Sequence, residues 1–446
     1  MIDILFINPT TIRTYKKMVA EIVSMPPLGL MYLAASVHNR GYTANIMDLS
    51  VEYFTRQEFE NKIKTLHPRI IGITTFTECF SAVILLTKLI RSICPQIPII
   101  LGGPGVTFSY EKYLKNTKID YILRGEGEDS ICELLDYILQ NKGELSRVKN
   151  LIYVKGDHVY VNETGKRISN LDELPWPDRS LIDLQRYVYP FTISTARGCP
   201  GNCIFCSSRQ YWGKEIYYRS PANIVEEIKY LYKKYNINYF FIVDDTFTMR
   251  PQRVFEFIEL LKKNNLKIIW GCESRADIIT KELLEAMYYA GCLKIQFGLE
   301  SANNKILQLI GKGITKEDVL NAVKIAYSIG FDINISFIIG HAFDTKDTIE
   351  ETLDFALYLF QEYKVNPYCA INTPYPGTQL YNFPQKFGLE ILTDNFDNYT
   401  MDNPIIKTKN FSPEDLRRYY QTFQNICLGK HKISYYQNQY KYNEKY

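Results

Sequence analysis

An α/β chain with two consecutive domains of βα repeats is the fold this sequence predicts, and three observations predict it. Apolar strand-like runs alternate with helical patterns through the first third of the chain. Six further strand–helix alternations begin at Phe191, and polar residues collect where those later strands end. Strands that are apolar throughout belong to parallel sheets, because helical crossovers cover both faces. The expectation is an open Rossmann-like domain over residues 1–160 and a connector over 161–190. A partial (β/α)6 barrel over 191–385 and a small, mainly helical C-terminal segment over 386–446 follow.

In chain order, the first strands are expected at Ile2 to Asn8, Thr43 to Leu49, Ile70 to Phe76, Pro98 to Gly103 and Tyr121 to Arg124. Helices are expected near Leu28 to Arg40, Thr55 to Leu66, Phe80 to Ile93, Tyr110 to Asn116 and Asp129 to Asn141. Open parallel sheets take ligands at the carboxyl ends of their strands, near the switch in strand order. The loops there are Asn8-Pro9-Thr10, Met25-Pro-Pro-Leu-Gly-Leu30, Thr74-Thr75-Phe76, Gly102-Gly103-Pro104-Gly105 and Arg124-Gly-Glu-Gly-Glu128. Each taken alone is an ordinary turn. His38, inside the first helix pattern, reads as part of a solvated face. The proline- and turn-rich run Ile168 to Arg179 reads as the connector.

The barrel strands are expected at Phe191 to Arg197, Tyr239 to Asp245, Lys267 to Ser274, Lys294 to Ser301, Asp332 to Gly340 and Asn366 to Thr373. Helix starts are marked by Ser220-Pro221, by Thr280, and by Thr315 with Asp318. The strands close on Asp244-Asp245-Thr246, Glu273-Ser274-Arg275, Gly298-Leu299-Glu300-Ser301, Ile339-Gly340-His341 and Asn372-Thr373. One charge closing a strand is an ordinary solvated turn. Several at one level of a barrel mark a site, since barrels gather function at that end. Further on, Ser412 caps a helix to about Leu428, and the C-terminal segment as a whole is expected to close the barrel mouth. The tail from Tyr435 to Tyr446 interleaves aromatics with lysines and reads as a frayed terminus rather than an RNA-stacking surface.

Composition narrows the class. The chain has 446 residues, 46% of them hydrophobic, which supports real cores and excludes wholesale disorder. Its formal charge of +3 predicts no obligatory polyanionic partner. Met1-Ile-Asp-Ile-Leu-Phe-Ile-Asn8 has no basic n-region and does not read as a signal peptide. No apolar run reaches the ~18 residues a membrane span needs. A cytoplasmic chain is expected, in which ten cysteines are not a disulfide framework. Seven of them, Cys79, Cys94, Cys132, Cys272, Cys292, Cys369 and Cys427, scatter mostly through apolar stretches and read as small core hydrophobes.

The other three sit in one loop, Ala196-Arg-Gly-Cys-Pro-Gly-Asn-Cys-Ile-Phe-Cys-Ser207. Three thiolates can close around a metal centre but leave one position of a four-coordinate site open. A zinc knot would fill it with Cys272, Cys292 or Cys369. Such knots usually come as paired C-x2-C clips, and this chain carries no such pair. A reactive centre leaves the position to a substrate or cofactor.

The C-x3-C-x2-C spacing, with an aromatic before the last cysteine, resembles the radical S-adenosylmethionine (SAM) superfamily. The resemblance implies that Cys199, Cys203 and Cys206 hold three irons of a [4Fe-4S] cluster whose fourth iron chelates SAM. Reductive cleavage would then yield a 5′-deoxyadenosyl radical that takes a substrate hydrogen. It further implies Phe205 beside the adenine, Asp244 and Asp245 on the SAM amino group, and Glu300 on the ribose hydroxyls. Arg275 and Ser336 become carboxylate or ribose partners, and Ile338 to Gly340 packs on adenine. These residue types suit the ligand, since an amine cation needs a carboxylate and a diol needs a two-oxygen acceptor.

The ordered loops of the first third, above all Pro-Pro-Leu-Gly-Leu, Leu-Gly-Gly-Pro and Gly-Glu-Gly-Glu, resemble the cobalamin-binding domain that precedes the radical SAM domain in one large subfamily. That implies cobalamin near Thr74, Thr75, Gly102, Gly103 and Glu126. The chain lacks Asp-x-His-x-x-Gly, which implies cobalt without a histidine ligand. Members of the subfamily most often move a methyl group from methylcobalamin to an unactivated carbon or phosphorus. The resemblance therefore implies a cobalamin-dependent radical SAM methyltransferase. It would act on a small-molecule or peptide substrate, with flavodoxin or ferredoxin as electron donor and no nucleic acid partner. One alternative is a non-methylating oxidoreductase, cyclase or rearrangement enzyme. Another is an RNA-modifying, methylthiotransferase-like or nucleic-acid-binding protein. It would want cluster cysteines in the N-terminal domain, where Cys79, Cys94 and Cys132 fall in or beside helix patterns.

Overall fold

The computed structural model describes residues 1–11 and 25–428, so the tyrosine-rich tail lies outside the described residues. The chain divides into two units. The first comprises Met1–Gly198, Gln210–Asn223 and Asn395–Asn398; the second comprises Cys199–Arg209, Ile224–Asp394 and Tyr399–Tyr446.

In the first unit, strands β1 (Ile2–Asn8), β2 (Ala44–Asp48), β3 (Pro68–Thr74), β4 (Ile99–Gly102) and β5 (Tyr121–Leu123) form a parallel sheet in the order β2-β1-β3-β4-β5. Ile4, Leu5, Phe6 and Ile7 are all buried, as a strand covered on both faces requires. An antiparallel hairpin, β6 (Leu151–Lys155) and β7 (His158–Val161), extends the sheet beyond the expected strands. It turns at Gly156, whose φ of +62° is left-handed.

The helix expected from Tyr110 starts instead at Pro104, because Gly103 (φ +91°) turns the chain and the proline opens the helix. His38 is not simply solvated: its Nε2 accepts from the Ala44 N–H at 3.1 Å and its Nδ1 bonds Asp178 at 3.0 Å. The expected strand Phe191 to Arg197 is two short pieces, β8 (Thr192–Ile193) and β9 (Ala196–Arg197). Between them the Ser194 carbonyl accepts from Arg219 at 3.0 Å, so the backbone leaves the ladder. β9 pairs with β10 (Tyr217–Tyr218).

The second unit carries five strands of the barrel. They are β11 (Tyr239–Ile242), β12 (Ile269–Ser274), β13 (Cys292–Glu300), β14 (Asp332–Ile339) and β15 (Asn366–Ile371), parallel and adjacent in chain order. Thr280 caps one intervening helix, and Thr315 with Asp318 forms the expected capping box on another. Along β14 burial alternates: Ile333, Ile335 and Phe337 are buried towards the helices, while Asn334 and Ser336 face a more accessible lumen.

The C-terminal segment holds an antiparallel pair, β16 (Leu389–Ile391) and β17 (Ile406–Thr408), besides the helix Pro413–Leu428. That helix sets Phe423 5.6 Å from Phe337, against the outer face of β14, and a Cβ on Gly340, at the exit of β14, would lie 2.9 Å from its Leu416. No helix among the described residues is long and apolar enough to cross a membrane.

Candidate active site

The cysteine loop opens the second unit. The N–H groups of Gly201 and Ser208 donate to the sulfurs of Cys199 and Cys206, each at 3.4 Å. A Cβ on Gly201 would lie 3.4 Å from the Cys199 sulfur and 3.8 Å from that of Cys203, so the glycine keeps the space between them open. The loop is pinned by the Ile204 N–H on the Ile310 carbonyl (3.0 Å) and by the Leu380 N–H on the Ile204 carbonyl (3.2 Å). At Gly311 (φ +70°) an added Cβ would come within 2.7 Å of the Asn202 carbonyl.

Burial pushes all three thiols up, Cys206 to about 11, against the pull of backbone N–H groups and of Arg275 and Lys312. Burial thus favours the protonated thiols, and a bound metal centre would hold them as thiolates. Among the described residues, no three His, Cys, Asp or Glu side chains group as ligands of a single ion. Cys272 and Cys292, candidate fourth ligands of a zinc knot, are fully buried, and the Cys292 thiol donates to the Lys294 carbonyl at 3.6 Å. Sulfurs arranged around Gly201, each free to take its own iron, fit a cluster.

The strand ends supply the other groups. A bulge between Gly298 and Glu300 puts Glu300 at φ +75°, a left-handed geometry costing a non-glycine residue ~1–2 kcal/mol. Its carboxylate meets Lys312 Nζ at 2.7 Å, and the Ser336 hydroxyl lies 3.5 Å from each of its oxygens. A Cβ on Gly298 would come within 2.6 Å of Glu300 Oε1 and 2.8 Å of Lys312 Nζ, so the buried pair depends on glycine there. Burial opposes the Lys312 charge, but Glu300 and Cys203 more than offset it. Lys312 was not expected: it sits in a Gly311-Lys-Gly313 turn, where only the flanking glycines offered a signal.

Arg275 donates to both Asp277 oxygens at 3.0 Å and to the carbonyls of Lys312 and Gly313 at 3.3 Å, which braces that turn. Asp244 is buried, and Asp245 accepts from the Ser208 hydroxyl at 2.7 Å. The Asp245 carboxylate is reachable by solvent yet lined on most sides by protein, and that enclosure raises its pKa. Phe205 lies 5.7 Å from the His341 ring. Burial holds His341 neutral, down to about 3, and neither ring nitrogen makes a hydrogen bond of normal geometry. Glu273 faces the same region. Burial, then Asp245, Glu300 and Asp244, push its carboxyl up to about 7.

The first unit carries its own cleft, of about 430 Å³, at the carboxyl ends of β1, β3, β4 and β5. The sheet order reverses between β1 and β3, where such sheets bind ligands. Thr74, Gly102, Gly103 and Glu126 line it with apolar walls such as Met25, Leu28 and Phe76. Thr75 does not: it is fully buried behind the rim, donating to the Gly102 carbonyl at 2.7 Å and accepting from the Val106 N–H at 2.9 Å.

Glu126 and Glu128 clamp the Arg197 guanidinium at 2.6 and 2.5 Å, and the rings of Tyr32 and Trp212 lie 5.4 and 5.6 Å from it. Tyr211 and Trp212 also line the cleft, and no pattern near them marked them in advance. No histidine lines the cleft among the described residues. Its mostly apolar walls and glycine rim suit a large, partly apolar group approached by backbone.

Comparison with known proteins matches residues 193–356 to the Radical SAM superfamily and residues 18–135 to the B12 binding domain. An uncharacterized methyltransferase of Pyrococcus horikoshii is 34% identical over 98% of this chain and 93% of its own length. The anaerobic magnesium-protoporphyrin IX monomethyl ester cyclase of Rubrivivax gelatinosus is 30% identical over 97% of this chain and 78% of its own. The fold matches the cobalamin-dependent radical enzyme OxsB, solved with aqua-cobalamin and SAM bound. The TM-score is 0.78 at 20% identity, over 100% of this chain and 71% of that one.

Proposed function

The chain belongs to the radical SAM enzymes that carry a B12-binding domain, and from that premise we propose that it is a methyltransferase acting on an unactivated carbon or phosphorus of a small molecule or peptide. Its cofactors are a [4Fe-4S] cluster, SAM and cobalamin. When bound, these supply an electron, a carbon radical and a transferable methyl group. The observation that carries the reading is the three-cysteine loop sharing one barrel end with the carboxylates of Asp244, Asp245 and Glu300.

Each residue has a task in this reading. Cys199, Cys203 and Cys206 hold the cluster, and Gly201 keeps their sulfurs apart. Asp244 and Asp245 take the SAM ammonium. Glu300, turned inward and held by Lys312, accepts from the ribose diol with Ser336 beside it. Arg275 orients that turn through the Lys312 and Gly313 carbonyls. Phe205 and Ile338 to Gly340 flank the adenine and keep water from it. In the first unit, Thr74, Gly102, Gly103 and Glu126 border the cobalamin, with Thr75 and Arg197 stiffening the rim. Electrons come from a flavodoxin- or ferredoxin-type donor.

A second reading draws on the likeness to the cyclase: radical oxidation or ring closure without methyl transfer. Anaerobic reconstitution followed by cobalt and iron analysis, then incubation with SAM and a reductant, separates the two. Methyl transfer requires S-adenosylhomocysteine alongside 5′-deoxyadenosine. Deoxyadenosine alone, from enzyme holding iron and cobalt and turning over its substrate, overturns it in favour of the second.

A further inference from the structure

Below the strand ends, the register aligns one row of polar side chains across the barrel: Glu273 on β12, Gln296 on β13, Asn334 on β14 and Asn366 on β15. All four are half-buried, on the face that alternates with the buried Ile and Phe positions. The Glu273 carboxylate has neither a hydrogen bond nor an ion pair among the described residues. Asn334 Oδ1 is a buried acceptor with no donor. A buried acceptor without a donor is costly, and a ligand that donates to Asn334 while facing the Glu273 carboxylate would remove that cost.

The surrounding charges narrow the ligand. Asp244, Asp245 and Glu300 all disfavour the Glu273 charge. The nearby cations are committed: Lys312 to Glu300 at 2.7 Å, Arg275 to Asp277 at 3.0 Å, and Lys294, one row lower, to Asp332 at 3.3 Å. A carboxylate among carboxylates attracts a cation, and an ammonium brings both the charge and several donors.

Building on the proposed function, which makes this lumen the place where substrate meets the radical, we propose that the substrate is an amine whose protonated nitrogen is held by Glu273 and Asn334. Glu273 is then a substrate-binding residue, distinct from the carboxylates assigned to SAM. The row sets which molecule enters. A substrate presenting a carboxylate or phosphate at this depth would be repelled.

Reconstituted enzyme with SAM bound and no reductant is offered n-butylammonium, n-butanol and butyrate, and saturation-transfer NMR reads the binding of each. Butylammonium should bind, and about tenfold more weakly to Glu273→Gln. Asn334→Asp, which adds a carboxylate to the row, should tighten it. Butanol or butyrate binding as well as butylammonium overturns the assignment, as does butylammonium binding unchanged in Glu273→Gln. Should Glu273→Gln lose iron or SAM uptake, Asn334→Asp decides alone, and no tightening overturns the proposal. If no S-adenosylhomocysteine forms while butylammonium still depends on Glu273, only the methyl-transfer reading falls.

Discussion

Glu273 sits in surroundings that suit its neutral form, and that has a measurable effect on stability. Its carboxyl is pushed from the ordinary 4.5 up to about 7, by burial first and then by neighbouring carboxylates. Below pH 4.5 it is protonated in the folded and unfolded chain alike and costs nothing. As pH rises towards 7 the unfolded chain ionises first, so the folded state loses stability, fully so above that value. Glu273→Gln should therefore stabilise the cofactor-free protein by about 2 kcal/mol at pH 8, discounted for partial solvent access, and not at acid pH. Urea melts at the two pH values check this, and a variant less stable at pH 8 would sink it. A side chain that costs stability while making no bond is what a binding site retains for its ligand. At this scale, Asp244, Asp245 and Glu300 were legible because each closes an apolar strand. Lys312 and Trp212 were not: a short turn and the stretch after the cysteine loop bring them in, and neither position has a local period.

Among the elements, the turn from β4 into the helix Pro104–Asn116 is the most exacting. Gly103 holds φ +91°, and a Cβ there would lie 2.7 Å from Thr74 Oγ1 and 2.8 Å from the Thr75 carbonyl. Gly103→Ala should cost about 2 kcal/mol or more, combining left-handed strain with displacement of the β3 exit. Cobalt uptake should fall while iron content holds, because the cysteines belong to the other unit. Metal analysis after reconstitution reads both, and undiminished cobalt would remove Gly103 from the cleft's function. The long apolar strands β1, β3, β13 and β14 were readable because burial on a repeating period leaves its mark in composition. The pieces β8 and β9 were not, since a side-chain bond from Arg219 interrupts a run that looks continuous.

For the whole molecule, replacing Cys199, Cys203 and Cys206 together by alanine should abolish iron uptake and SAM cleavage. Cobalamin uptake and secondary structure should survive, because the cleft in the first unit uses none of those residues. Iron analysis, a cobalamin spectrum and circular dichroism test it, and a full iron complement in the triple variant would refute the cluster assignment. The sequence by itself determined the two βα-repeat domains, the three-thiol loop and the family, since alternation and motif spacing are properties of contiguous residues. Only the tertiary structure decided that Lys312 neutralises Glu300, that Arg197 joins Glu126 and Glu128, and that Glu273 and Asn334 share an undonated row. These groups lie between 12 and 71 residues apart along the chain. Strand register and the packing of turns make them neighbours, and neither leaves a trace in any short stretch of sequence.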